Sequence, residues 1–372
     1  VKNFVYPENI DVSTKNLVEL DLAAALDEED WQQRITQAFG GEELKFDVIV
    51  GNPPYQEMDG GARASASPLY HKFFHRAKQL DPRLISFIIP ARWYSGGKGL
   101  GGFREDMLND KRIRELHDFF DATDLFPDID LSGGACYFLW DKEYFGDCKV
   151  TSYRNGDTNT RTRPLRWKQN DTFIRFNEAI SILDKVNRVG FISFADLVSS
   201  RKPFGLPTNT ELKPQRDCGD IKVYAYPNNG FYPKDNLERN VDWVDRWKVL
   251  CAKAYGERGD FPYRVIAEPF LAEPGSCCTE TYIVIKVCDT EREAENVMTY
   301  MRTRFFRFLV LLRKNTQDST SRVYSLVPQQ DFSEPWTDEK LYKKYQLTKE
   351  EISFIESLVR PMNGEKAAIS GT

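Results

Sequence analysis

Four consecutive residues, Asn52-Pro53-Pro54-Tyr55, carry the most specific chemistry in the sequence. Neither proline has an N–H, and both have a fixed φ. Asn52 precedes a proline and is pushed towards an extended conformation. The result is a stiff segment rich in acceptors: the Asn52 side-chain oxygen and the carbonyls of Asn52 and Pro53. Tyr55 adds a flat aromatic face. A planar group bearing an NH2 suits such a site, with its two N–H bonds taken by the acceptors and its ring stacked on the tyrosine.

The element that must hold this tetrapeptide is the run before it. Phe46, Val48, Ile49 and Val50 are apolar and largely β-branched, the pattern of a short strand buried on both faces, and Gly51 ends it. The tetrapeptide therefore sits at a strand's carboxyl end, where open α/β sheets bind their ligands.

A hydrophobic strand running into Gly-Asn-Pro-Pro-Tyr resembles the catalytic motif of amino-group DNA methyltransferases, particularly those that act on N6 of adenine in restriction–modification systems. The resemblance implies a target base flipped out of the duplex. It gives Asn52, Pro53 and Pro54 the amino-group site and Tyr55 the stacking face. It also implies a Rossmann-like α/β sheet, S-adenosylmethionine as cofactor, double-stranded DNA as substrate and no metal. In register with the family's second stacking aromatic is Phe126, in Leu125-Phe126-Pro127. An ordinary loop plug is the other reading of that residue.

The same family holds its cofactor with a glycine-rich turn and a later acidic residue, both upstream of the motif. Residues 1–51 contain no Gly-x-Gly. Asp21 is the only position carried over to the cofactor's adenine side. The expectation is the later half of a catalytic domain over residues 1–160, with a partner polypeptide supplying the cofactor half or a nuclease. Asn16–Leu22 is a candidate strand and Glu28–Phe39 a surface helix.

Downstream, Pro68–Leu80 has helical periodicity, with Leu69, Phe73, Ala77 and Leu80 on one face. His71 and His75 are four apart, but without a third ligand they read as surface histidines rather than a metal pair. Leu84–Pro90 is a second buried strand. It runs into Ala91-Arg92-Trp93-Tyr94 and a glycine–lysine stretch around Lys98, which lacks the closing residues of a P-loop. That stretch reads either as a flexible loop or as a phosphate seat at the start of the helix Phe103–Asp110. Ile113–Phe120 and Ala135–Trp140 form a candidate antiparallel pair, and Cys148–Tyr153 a further strand. Arg154–Asn170, polar and rich in arginine, reads as a linker or as a contact with DNA phosphates.

Residues 161–372 differ in texture and are assigned to a mixed α+β target-recognition domain. Short strands are expected at Phe191–Phe194, Ile221–Tyr226, Trp247–Tyr255 and Thr281–Val287. Thr290 with Glu293 has capping-box spacing for a long helix from Glu291 to about Lys314, and Thr348 with Glu351 for the last helix. Similarity to the methylases extends here to Cys277–Tyr282, Arg304–Leu309 and Asp331–Trp336.

The chain has 51 Lys and Arg against 56 Asp and Glu, a net charge of −5. A nucleic-acid partner therefore requires clustered cations. The clusters are Arg201 with Lys202 in a polar loop, and Arg302, Arg304, Arg307, Arg313 and Lys314 in a stretch without an acid; Arg92 and Lys98 join them. Seven cysteines without Cys-x-x-Cys spacing read as reduced thiols of a cytoplasmic protein, and no apolar run is long enough to span a membrane. The function expected is site-specific adenine methylation. The alternatives are a non-catalytic DNA-specificity module and methylation of a protein glutamine amide. Its arginine clusters favour DNA.

Overall fold

The computed structural model describes residues 31–38, 46–57, 67–97, 99–126, 131, 133–257, 261–314 and 316–362. They fall into two compact units, Val1–Phe173 and Ile174–Thr372. Asp21, Lys98 and the candidate strand Asn16–Leu22 lie outside the described residues. The expected surface helix is present as α1, Trp31–Ala38.

The first unit is a six-stranded mixed sheet. Its strands are β1 (Val48–Gly51), β4 (Leu84–Pro90), β5 (Ile113–Phe119), β6 (Ala135–Asp141), β7 (Cys148–Arg154) and β8 (Asp157–Arg163), in the order β1-β4-β6-β5-β7-β8. β1 and β4 are parallel, and β5 and β6 pair antiparallel as their sequences suggest. Two short strands, β2 (Gln56–Glu57) and β3 (Ser67–Pro68), lead into α2 (Tyr70–Gln79), and α3 (Gly101–Asn109) follows β4.

Alternation along β4 sends Ile85, Phe87 and Ile89 to the face covered by α2, which buries Tyr70, Phe74 and Ala77. Phe74 meets Phe87 and Phe138 edge-to-face at 6.3 and 5.1 Å. The opposite face carries paired rings, His117 on Tyr137 and Phe119 on Tyr153, each at 4.3 Å.

Two expectations fail here. β1 is not buried on both faces: Ile49 packs against the core, but Val48 and Val50 are 51% and 75% exposed. Among the described residues β1 is the end strand, and its apolar run is covered on one side. Arg154–Asn170 is not a linker either. Asn155 and Gly156, both at positive φ, turn the chain so that β8 pairs antiparallel with β7. This is the two-residue hairpin turn that Asn-Gly favours.

The second unit has two three-stranded sheets. One is β10-β9-β13, from β9 (Asp220–Tyr224), β10 (Gly230–Pro233) and β13 (Ser276–Cys278). The other is β12-β11-β14, from β11 (Trp247–Ala252), β12 (Phe270–Ala272) and β14 (Tyr282–Cys288). Helices α4 (Ala179–Arg188), α5 (Glu291–Arg302), α6 (Arg304–Leu311), α7 (Asp338–Lys344) and α8 (Lys349–Leu358) complete it. Both bonds of the capping box at Thr348 and Glu351 form.

The segment expected as a strand at Phe191–Phe194 is instead the entry to a single 3-10 turn, Phe194–Leu197, where the Ser193 side chain accepts from the Ala195 amide. The single long helix from Glu291 is two helices. Thr303 takes an extended ψ of 148°, and its hydroxyl oxygen caps α6 by accepting from the Phe306 amide at 3.1 Å. A Thr is as good a helix start as it is a tolerated interior residue, and here the start wins.

Candidate functional site

β1 delivers the tetrapeptide to the carboxyl ends of the parallel pair β1 and β4. A side chain on Gly51 would meet the Phe87 ring at 3.1 Å, so glycine lets the strand end lie close to β4. Beyond it Asn52 and Pro54 are exposed, Pro53 is buried and Tyr55 is half-buried. The Tyr55 carbonyl accepts from the Leu69 amide at 3.2 Å, which fixes the end of the tetrapeptide to the start of α2.

Two aromatic side chains near this rim bury polar atoms that make no hydrogen bond among the described residues: the Tyr70 hydroxyl and the Trp93 indole nitrogen. Burial raises the Tyr55 pKa; the Cys136 thiol adds to the rise and the neighbouring Asn52 side chain opposes it. Burial also raises Tyr70, again with Cys136, while Arg92 and Arg104 pull it down. Both phenols are therefore neutral donors near one thiol. Trp93 lies on the 3-10 turn Ala91–Tyr94 that follows β4, with Arg92 exposed beside it. The rim thus presents acceptors on the tetrapeptide and, behind it, the Tyr70 and Trp93 donors, which have no partner among the described residues. Sequence reading did not single out Tyr70 and Trp93 as site residues, since buried aromatics in a helix and after a strand ordinarily belong to a core.

Phe126 is half-buried. Its amide donates to the Ala122 carbonyl at 2.8 Å, at the end of the 3-10 turn Ala122–Asp124. Among the described residues no ring contact joins it to Tyr55. His75 lies 3.7 Å from Asp106, and among the described residues no group of three metal-ligating side chains gathers.

The cation-rich stretch after Met301 is not a solvent-facing row. Arg307 is fully buried and donates to the carbonyls of Arg302, Thr303 and Arg360. Arg302 pairs with Glu268 and Arg304 with Glu356, each at 2.7 Å. Arg313 is half-buried, and burial pulls the Lys314 ammonium down to about 8 while it donates to the carbonyls of Tyr255 and Thr316. The break at Thr303 turns this stretch inward, which periodicity over a single helix could not reveal. Arg201 and Lys202 do face solvent, and both pair with Glu280.

Residues 3–126 match the family described as Eco57I restriction-modification methylase. By this match that segment, about a third of the chain, is similar to the restriction–modification methylases. An uncharacterized adenine-specific methylase of Mycoplasma pneumoniae is 36% identical over 112 residues, covering 29% of this chain and 26% of the relative. The chain thus spans about a quarter of that relative's length. Among solved structures, the type IIG restriction endonuclease BpuSI is similar at a TM-score of 0.34 and 12% identity, over 83% of this chain and 51% of that one. The type IIL restriction–modification enzyme MmeI, in complex with DNA, is similar at 0.41 and 10%, over 75% and 45%. Methylases of this family use S-adenosylmethionine. No helix among the described residues is long and apolar enough to cross a membrane.

Proposed function

We propose that this restriction–modification methylase transfers a methyl group to N6 of an adenine flipped out of double-stranded DNA. The observation that carries the reading is the acceptor-rich tetrapeptide held at the carboxyl end of a parallel strand, in a segment that matches the family. The adenine amino lone pair is delocalised into the ring and is a poor nucleophile. The Asn52 side-chain oxygen and the Pro53 carbonyl accept the two N6–H bonds, which draws density onto nitrogen as it becomes cationic. Tyr55 stacks on the base, with Phe126 proposed for the other face.

S-adenosylmethionine supplies the methyl. Ahead of β1 the described residues hold no glycine turn followed by an acid. Asp21, outside the described residues, is the proposed contact within this chain, and a partner polypeptide is proposed for the rest. A nuclease is proposed to share that complex.

The test is methyl incorporation into genomic DNA by the chain together with its proposed partner polypeptide, comparing wild type with Asn52→Ala. Removing an acceptor that strengthens in the transition state is expected to lower turnover by about 100-fold or more. Asn52 is exposed, so folding is expected to survive. A variant that methylates at the wild-type rate overturns the assignment.

A further inference from the structure

In the second unit, β9, β11 and β13 end at one edge, and β14 begins there. The Thr279 amide after β13 donates to the Tyr224 carbonyl of β9 at 3.0 Å, and the Lys253 amide after β11 donates to the Thr281 carbonyl at 2.9 Å. Glu280 sits between them and gathers three cations: Arg201 at 2.9 Å, Lys202 at 3.4 Å and Lys253 at 3.9 Å. The hydrogen bond from Arg201 does most to hold the Glu280 carboxyl below its usual range, so Glu280 is ionised. Asp318 also acts on Arg201. Three cations against two carboxylates leave a positive excess on a chain of net charge −5.

These cations are held in place. Phe204 and Leu206, just after them, are core residues packed with Val223, Cys277 and Cys278. Leu206 accepts from the Glu280 amide at 2.9 Å, and Ser199 exchanges hydrogen bonds with Val284. Arg201 spends one nitrogen on Glu280, and its side chain remains 62% exposed. The guanidinium is thus aimed by one bond and makes no second hydrogen bond among the described residues.

At the same edge the β9–β10 hairpin projects its turn, residues 225–229. The turn is closed by the Ala225 amide donating to the Asn229 side chain at 3.0 Å. Tyr226 is 69% exposed on it, and its phenol lies near enough to act on Tyr282 at the start of β14. Asn228 and Asn229 are exposed beside it.

We propose that this edge is a duplex-DNA contact in which Arg201, Lys202 and Lys253, positioned by Glu280, grip backbone phosphates while the hairpin turn carrying Tyr226 enters the adjacent groove. A two-stranded ribbon fits a groove, and phosphate contacts fix its register. Tyr226 supplies the aromatic face that contacts bases. The inference rests on the DNA reading above and adds to it the surface that does the gripping.

The test is fluorescence anisotropy of mixed-sequence duplex DNA with the full chain, over a salt series. The Arg201→Ala, Lys202→Ala double variant is expected to flatten the slope of log affinity against log salt by roughly 1.8, from about 0.9 per phosphate contact. Tyr226→Ala is expected to weaken binding by about tenfold with the slope unchanged, because a contact to base edges releases no counterions. Wild-type binding with unaltered slope and affinity in both variants overturns this inference and leaves the DNA reading standing. No wild-type binding overturns both. Circular dichroism melting verifies that each variant is folded.

Discussion

The Leu69 amide donates to the Tyr55 carbonyl at 3.2 Å, so the last residue of the tetrapeptide and the residue before α2 are one structural joint. Tyr70 is therefore placed by the same bond that places Tyr55. Its hydroxyl is buried without a hydrogen bond among the described residues, a condition that costs roughly 1–3 kcal/mol in a folded protein. Tyr70→Phe removes the orphan and leaves the ring contact with Phe103. The variant is expected to be as stable as wild type or more so, by up to about 1 kcal/mol in urea unfolding. A clear loss of stability would mean that the hydroxyl already has a partner in the folded protein.

Much of the first unit was legible. The strand–glycine–tetrapeptide sequence, the β4 run and the α2 periodicity each state their own structure locally. β8 is also legible in principle, through Asn155-Gly156 between alternating residues, although the arginines around it give the segment the charge of a solvated stretch. The exposure of Val50 was not legible, because an apolar run does not say which of its faces the chain will cover. Nor was the cluster at Glu280: Arg201, Lys253 and Glu280 are distant in sequence and meet only because three strands end together.

Arg307 shows the same limit from the other side. In sequence it is one of five cations in an acid-free stretch. In the structure its guanidinium spans the carbonyls of Arg302, Thr303 and Arg360 and joins the α5–α6 break to the segment after α8. Arg307→Ala removes the side-chain donor from the Arg302 and Arg360 carbonyls, and the expected loss is about 3 kcal/mol by chemical denaturation. Arg307→Lys should not restore it, since an ammonium lacks the fork that reaches several carbonyls. Near wild-type stability in the alanine variant would show that the contacts are not holding the break.

Asp110, at the carboxyl end of α3, gives the first unit an acid-sensitive anchor. Its carboxylate accepts from Lys78 at 2.7 Å, from the Arg112 side chain at 2.7 and 3.0 Å, and from the Trp140 indole at 2.9 Å. Burial alone would raise its pKa; the bonds from Arg112, Lys78 and Trp140 outweigh it and hold the group well below the usual carboxylate range. A depressed folded pKa means that the unfolded chain binds the proton first. The stabilisation is therefore complete above the unfolded value of about 3.9 and is lost as pH falls from there towards the folded value. Asp110→Asn should cost on the order of 3 kcal/mol at neutral pH, because Lys78 and Arg112 lose their counter-charge. In urea unfolding at a series of pH values, the gap between wild type and variant should narrow steadily below about pH 4. A gap that stays constant into strong acid would mean that Asp110 acts through its shape and not through its charge.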